Sequence, residues 1–150
     1  MKEVTLNADS LVGLSVRTNN ANEMQPATAK IGTLHQRFAQ QVKVAYEQGA
    51  CLYGVYHQYE SDYTGDFSVL VGAKPDFVSS DIALETVSLP AGTYLVFSGE
   101  GQMPQVVVSV WEEIWAYFSR DNCPHQRAYT VDFECYTSEH SVEVYIALTS

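Results

Sequence analysis

Residues 127–148 carry the strongest pattern in the chain, because polar and apolar side chains alternate there along two consecutive segments. Side chains of a β-strand point to opposite faces of a sheet at every second residue, so the alternation predicts two strands with one apolar face. A short polar stretch, 137–141, separates the segments and is typical of a hairpin turn. The sequence therefore predicts an antiparallel hairpin whose apolar face packs against the rest of the chain.

We assign the side chains of this hairpin to two faces. The apolar face takes Val131, Phe133 and Cys135 from the first strand and Val142, Val144, Ile146 and Leu148 from the second. The opposite face takes Asp132, Glu134 and Tyr136, followed by Glu143, Tyr145 and Ala147. Carboxylates interleaved with tyrosines suit an organic cation, because the carboxylate opposes its charge and aromatic rings stack on it. The alternative is an ordinary solvated face of an antiparallel hairpin.

The same analysis predicts the remaining elements of the chain. Strands are predicted over 11–17, 51–59 and 66–73, and an amphipathic helix is predicted over 26–46, beginning at Pro26 and capped at Gly49. A short strand over 83–89 and a tight turn at 90–92 follow. The second half contains strand 93–98, helix 104–120 and strands 127–137 and 141–148.

The order β-α-β-β therefore occurs twice, over about 11–73 and 93–148. This repeat predicts an α+β fold in one domain spanning residues 1–150, with two pseudo-symmetric modules in an antiparallel sheet and both helices on one face. A pocket between two similar units is a natural ligand site, so we expect a groove between the modules.

The charge balance limits the partners. Eight basic and eighteen acidic residues give a formal net charge of -10. Nucleic-acid binding needs clustered lysines and arginines, so we expect no direct binding to DNA. The negative charge either attracts cationic ligands or only keeps the protein soluble.

The sequence also predicts a cytoplasmic protein without membrane contact. Residues 1–10 lack the apolar core of a signal peptide, and no apolar run approaches the ~20 residues of a membrane span. The cysteines, Cys51, Cys123 and Cys135, are odd in number and widely spaced, which favours reduced thiols.

We predict neither a metal nor a cofactor nor a catalytic residue. Cys123 and His125 form an isolated C-x-H pair, and the other histidines, His35, His57 and His140, have no metal-ligand spacing. The chain contains no G-x-S-x-G, G-x-G-x-x-G or P-loop pattern.

Four stretches, in this order, resemble the GyrI-like small-molecule-binding family, which is the effector-binding domain of bacterial transcription activators. They are YGVYHQYESDYTGDFSVLVGA (53–73), LPAGTYLVFSGEG (89–101), VWEEIWAYF (110–118), and RAYTVDFECY followed by VEVYIAL (127–136 and 142–148). They cover most of the chain from residue 50 onward, whereas the first fifty residues match only in the order of their elements. Family members fused to helix-turn-helix regions regulate transcription, but the binding fold takes up these 150 residues, so we expect a stand-alone form without a DNA-binding domain.

The resemblance implies two β-α-β-β modules around a groove that binds bulky, cationic aromatic ligands, as in multidrug sensors. It also implies a buried glutamate that opposes the ligand charge, and this glutamate falls on Glu134. Around it we expect Tyr145, Tyr56 and Trp115, with Tyr94 as a weaker candidate. Trp111 is assigned to the core, and Glu143, the competing carboxylate, is expected to be exposed.

Three functions stay open at this point. The leading hypothesis is a non-enzymatic binder of bulky organic cations or of other amphipathic small molecules. The second is a small GyrI-like hydrolase that uses the same groove, since a buried glutamate beside tyrosine can act as a general base. The third is an acidic protein that binds a partner protein as an inhibitor.

Overall fold

The computed structural model describes residues 1–149. Over this range the strands and α-helices follow one another as β1 (Lys2–Leu6), β2 (Asp9–Thr18), α1 (Asn20–Glu23), α2 (Ile31–Gln41), β3 (Val42–Val44), β4 (Leu52–His57), β5 (Phe67–Ala73), β6 (Val78–Ser80), β7 (Glu85–Leu89), β8 (Gly92–Glu100), α3 (Gln105–Phe118), β9 (Val131–Ser138) and β10 (Ser141–Ala147). Two single 3-10 turns lie at Tyr46–Gln48 and Pro75–Phe77.

Eight of the strands form one antiparallel sheet in the order β1-β8-β10-β9-β4-β5-β2-β7, while β3 pairs with β6 alone. Each half of the chain contains the predicted order of strand, helix and two strands, as β2-α2-β4-β5 and β8-α3-β9-β10. The two sets meet where β4 pairs with β9 in the middle of the sheet. The α+β class and the antiparallel sheet are confirmed.

The sheet curls into a half-barrel because β7 and β8 lie near its opposite ends but are close in the chain. Only Pro90 and Ala91 separate the two strands, and such a link spans at most about 11 Å. The two ends of the sheet therefore have to approach each other. Buried residues from both ends share one core on the concave side of the curl, among them Leu11, Val87, Leu89, Tyr94 and Phe133.

The two longer helices, α2 and α3, pack on the other, convex face. The core under α2 contains Leu34 and Phe38 with Val69 and Val71 of β5. The core under α3 contains Val110 and Ile114 with Phe97 of β8 and Val144 of β10. Strand pairing places Val71, Gly54, Glu134 and Val144 opposite one another in one row, so the two helices lie on the same side of the sheet. The predicted placement of the helices is confirmed.

The predicted faces of the C-terminal hairpin are wrong by one residue in β10. Val144 lies opposite Glu134, and Tyr145 lies opposite Phe133. Val142, Val144 and Ile146 thus share the face of Asp132, Glu134 and Tyr136, whereas Glu143, Tyr145 and Ala147 share the face of Val131, Phe133 and Cys135. The cause is a register shift between Ser141 and Val142, because a shift of one residue turns a whole strand over.

The helix predicted over 26–46 is shorter and begins later. Pro26 lies in the turn between α1 and α2, and the Glu23 carboxylate caps α2 by accepting the backbone N–H groups of Lys30 at 2.9 Å and Ile31 at 3.1 Å. Val42 already pairs with Ser80 in the small second sheet, so the helical periodicity continued into a strand. Gly49, with φ of 92°, ends the 3-10 turn instead of the helix.

Two further features bear on the sequence predictions. Cys51, Cys123 and Cys135 are all free thiols. None of the helices within residues 1–149 is long and apolar enough to cross a membrane.

Candidate functional site

Glu134 is a buried carboxylate in the middle of β9, on the face that carries both helices. It is 3% exposed. Its Oε2 accepts hydrogen bonds from the Tyr56 hydroxyl at 2.8 Å and from Trp111 Nε1 at 2.7 Å, while its Oε1 accepts one from the Tyr136 hydroxyl at 2.9 Å. All three donors are neutral. The ion pairs of residues 1–149 join Lys74 to Asp9, His125 to Glu3 and Arg127 to Asp132, so none of them neutralises Glu134.

Gly54 of β4 makes room for this carboxylate. It lies directly opposite Glu134 in the sheet. A Cβ atom at position 54 would stand only 2.7 Å from Glu134 Oε1, closer than two such atoms can come. A glycine at this position therefore lets the glutamate side chain lie flat against the neighbouring strand.

Aromatic rings from four elements surround Glu134, namely β4, β9, α2 and α3. The Tyr56 ring meets the Trp111 ring edge-on at a centroid distance of 5.2 Å, and Trp111 lies 6.2 Å from the exposed Trp115. On the other side, His35 of α2 meets the Tyr136 ring edge-on at 6.1 Å. We call Tyr56, Trp111, Trp115, Tyr136 and His35 the aromatic cluster. The cluster closes over the carboxylate from both helices.

The titratable members of the cluster are held in their neutral forms. Burial, together with the nearby Glu134 charge, raises the pKa of Tyr56 and of Tyr136 well above the ordinary value. Burial lowers the pKa of His35 below its ordinary 6.5, and the Glu134 charge opposes this only in part. Both tyrosines thus keep the protons that they donate, and His35 adds no positive charge at neutral pH.

The lowered pKa of His35 makes the stability of the protein depend on pH. We expect the free energy of unfolding to fall as the pH decreases below 6.5, because the unfolded chain then binds protons more readily than the folded protein does. Burial also lowers the pKa of His57, which adds an effect of the same sign. Urea titrations between about pH 5 and pH 8 measure the dependence. His35→Gln should make it shallower, and an unchanged slope in that variant would contradict the assignment.

Asp132, two residues before Glu134 on the same strand, is a buried carboxylate whose charge is compensated by an arginine. It is 0% exposed and accepts hydrogen bonds from Arg127 Nη2 at 2.8 Å, the Tyr59 hydroxyl at 2.6 Å and the Ala147 backbone N–H at 2.9 Å. The Arg127 guanidinium also lies 4.3 Å from the centre of the Tyr129 ring. One of two neighbouring buried carboxylates thus has a cationic partner, and the other has none within residues 1–149.

The structure brings some of the predicted site residues together and separates others. Tyr56 contacts Glu134, and Trp115 lies at the outer rim beside Trp111. Tyr145 and Tyr94 lie on the concave face instead, where Tyr145 stacks on Phe133 at 4.5 Å and the Tyr94 hydroxyl donates to the Pro90 carbonyl. The expected contact of Tyr145 with Glu134 is wrong because of the register shift in the hairpin, and Tyr94 is part of the concave core.

Sequence reasoning missed other members of the cluster. Tyr136 follows Glu134 by two residues, and this spacing alone predicts a shared face. Trp111 packs against the α3 core, where the sequence analysis places it, and its N–H group also reaches Glu134. No sequence pattern predicts that His35 lies near Glu134, because α2 and β9 are far apart in the chain and come together only when the protein folds. Glu143 is half-buried on the concave face, where it accepts from the Tyr145 hydroxyl at 3.1 Å.

Comparisons with known proteins agree with this architecture. The family model of the Cass2 type, described as integron-associated effector binding protein, matches residues 4–148. An integron cassette protein from the mobile metagenome of Vibrio cholerae is 40% identical to this chain, with a TM-score of 0.88 and coverage of 99% of this chain and 95% of that one. No curated protein matches the chain.

Two more distant structures share the fold. A putative bacterial transcription regulation protein from Staphylococcus aureus MU50 is 21% identical, with a TM-score of 0.72 over 99% of this chain and 97% of that chain. SAV2435, solved bound to tetraphenylphosphonium, is 20% identical, with a TM-score of 0.69 over 99% of this chain and 93% of its own. The predicted resemblance to GyrI-like effector-binding domains is confirmed, and the protein belongs to the family of integron-associated effector binding proteins.

Proposed function

We propose that the protein binds bulky organic cations with aromatic rings, and that Glu134 opposes the ligand charge. The observation that carries the proposal is the buried Glu134 carboxylate without a cationic partner in residues 1–149. Burying a carboxylate is unfavourable unless hydrogen bonds and an opposite charge compensate it. The three neutral donors supply hydrogen bonds, and a ligand supplies the charge.

The aromatic cluster favours the same class of ligand. Cations bind to the faces of tryptophan and tyrosine rings, and aromatic ligand rings add stacking contacts. Trp111 and Trp115 extend this surface from Glu134 to the outside of α3, since Trp115 is exposed. A flat or propeller-shaped cation can thus contact the tryptophans while its charge approaches Glu134.

A structure of the same fold with tetraphenylphosphonium bound supports the proposal. This ion combines a permanent positive charge with four phenyl rings, which is the chemistry that the aromatic cluster and Glu134 favour. The overall charge of -10 adds a long-range attraction for cations. The hydrolase alternative uses the same carboxylate, so consumption of a ligand distinguishes it from binding alone.

Removing the Glu134 charge tests the proposal. Glu134→Gln keeps the shape of the side chain and should weaken the binding of methyltriphenylphosphonium about ten- to a hundredfold, or about 1–3 kcal/mol, because a charge pair in a dry site is lost. Triphenylphosphine oxide has the same three rings without a net charge, so its affinity should change far less. Quenching of tryptophan fluorescence at constant ionic strength measures both dissociation constants.

Glu143→Gln is the matched control, since Glu143 lies on the concave face of the next strand, away from the aromatic cluster. It removes the same charge from the same hairpin and should leave both affinities nearly unchanged. Equal affinity of the cation for the wild type and Glu134→Gln would rule out the proposed role, as would a larger loss in Glu143→Gln. Consumption of an ester-bearing phosphonium ligand would favour the hydrolase instead.

A further inference from the structure

The Nε–H group of Arg127, beside the aromatic cluster, has no hydrogen-bond acceptor within residues 1–149. The Arg127 side chain is 6% exposed, and its Nη2 donates to Asp132. Its Nε–H is fully buried and makes no hydrogen bond within residues 1–149. Buried donors without an acceptor are rare in folded proteins because they lose their hydration without replacement. The Nε–H can therefore still donate a hydrogen bond to a group from outside the chain.

The charge of Arg127 is already compensated, which determines what kind of group fits. Asp132 lies 2.8 Å from Nη2 and is itself completely buried. A second anion beside this pair would be repelled by the Asp132 carboxylate. A neutral acceptor, such as a carbonyl oxygen, satisfies the Nε–H without adding a buried charge.

Arg127 and Glu134 both lie close to the Trp111 indole. Trp111 Nε1 donates to Glu134, and the guanidinium carbon of Arg127 lies 6.0 Å from the centre of the Trp111 ring. Asp132, which holds Arg127, and Glu134 are two residues apart on one strand face, which corresponds to roughly 7 Å. One ligand that packs on Trp111 can thus reach both polar groups.

We propose that Arg127 Nε–H is a second anchor of the ligand site, and that the preferred ligands are aromatic cations that also carry a neutral carbonyl acceptor. This inference rests on the cation-binding function proposed above and narrows it to one class of cation. Glu134 opposes the charge, Trp111 and Trp115 contact the rings, and Arg127 binds the acceptor. Arg127 acts here as a specificity-determining residue.

Phosphonium ligands with one variable arm test the inference on the wild-type protein. One series carries a triphenylphosphonium head and an alkyl arm that ends in a primary amide, with about two to five methylene groups. The matched series carries plain alkyl arms of equal length. The amide should improve affinity by about tenfold at one arm length and by much less at the others, because the two anchors are a fixed distance apart.

Arg127→Lys identifies the group responsible. Lysine keeps a positive charge beside Asp132 but lacks the guanidinium group and its Nε–H donor. The variant should lose the preference for the amide, so that amide and alkyl ligands of equal arm length bind to it with similar affinity. If circular dichroism shows that Arg127→Lys does not fold, the wild-type comparison of the two series decides alone.

The outcomes separate this inference from the cation-binding proposal. Alkyl phosphonium ligands that bind through Glu134, with no gain from the amide at any arm length, would overturn the role of Arg127 and leave the proposed function standing. An amide preference that survives in folded Arg127→Lys would also overturn it. Failure of every phosphonium ligand to bind would instead reject the cation-binding proposal itself.

Discussion

Asp132→Ala should lower the free energy of unfolding by about 3–5 kcal/mol, because it leaves the charged Arg127 buried without its counter-ion. The two side chains are 0% and 6% exposed, and their N···O distance is 2.8 Å. The substitution also removes the acceptor of the Tyr59 hydroxyl and of the Ala147 backbone N–H, which ties β9 to β10. Urea unfolding followed by circular dichroism measures the loss.

The exposed pair of Lys74 and Asp9 provides the control. Its side chains are 47% and 46% exposed, and its N···O distance is 3.2 Å. Because water screens such a pair, Asp9→Ala should change the free energy of unfolding by less than about 1 kcal/mol. A loss in Asp132→Ala as small as that in Asp9→Ala would show that the buried pair does not contribute as we describe.

Gly13→Ala should lower the free energy of unfolding by about 2–4 kcal/mol, because the added methyl group has no space. A Cβ atom at position 13 would stand 1.9 Å from the Val71 carbonyl oxygen, which is part of the backbone of β5 and cannot rotate away. Gly13 pairs with Gly72, where a Cβ atom would stand 2.2 Å from the Val12 carbonyl oxygen. Strands β2 and β5 therefore approach each other here in a way that only glycine allows.

Gly32→Ala is the matched control in the same half of the chain. Gly32 lies in the first turn of α2, and no atom lies within 4 Å of the position that a Cβ would take. Alanine in a helix is favoured over glycine by about 0.5–1 kcal/mol, so this variant should be slightly more stable than the wild type. Thermal unfolding of both variants measures the difference. A Gly13→Ala variant that unfolded at or above the wild-type temperature would contradict the close approach of β2 and β5 at Gly13.

The order of the elements was predictable because it depends on local periodicity. Alternation in β8, β9 and β10 and the helical spacing in α3 are visible in short windows, and the repeated order implied a sheet with both helices on one side. The ends of α2 were not predictable in the same way. Val42 continues the helical spacing of Leu34 and Phe38, but pairing with Ser80 draws it into a strand.

The residues of the candidate site were likewise predictable only in part. The alternating pattern and the resemblance of its surroundings to GyrI-like proteins identify Glu134, and they predict Tyr56 beside it, where the structure places its hydroxyl. The tyrosine expected on β10 was wrong, because the face of Tyr145 depends on how β10 pairs with β9 after the turn. A single extra residue at the turn reverses that face without any change in the alternation itself.

The amino-acid sequence by itself determined which segments form strands and helices, and it placed a carboxylate among aromatic residues on one of them. The tertiary structure decided which side chains surround that carboxylate. Trp111 and Gly54 meet Glu134, and His35 meets Tyr136 beside it, because two helices pack on the same face and β4 pairs with β9 at one register. These contacts join residues far apart in the chain, so their energies come from packing and strand pairing, which local sequence patterns do not contain.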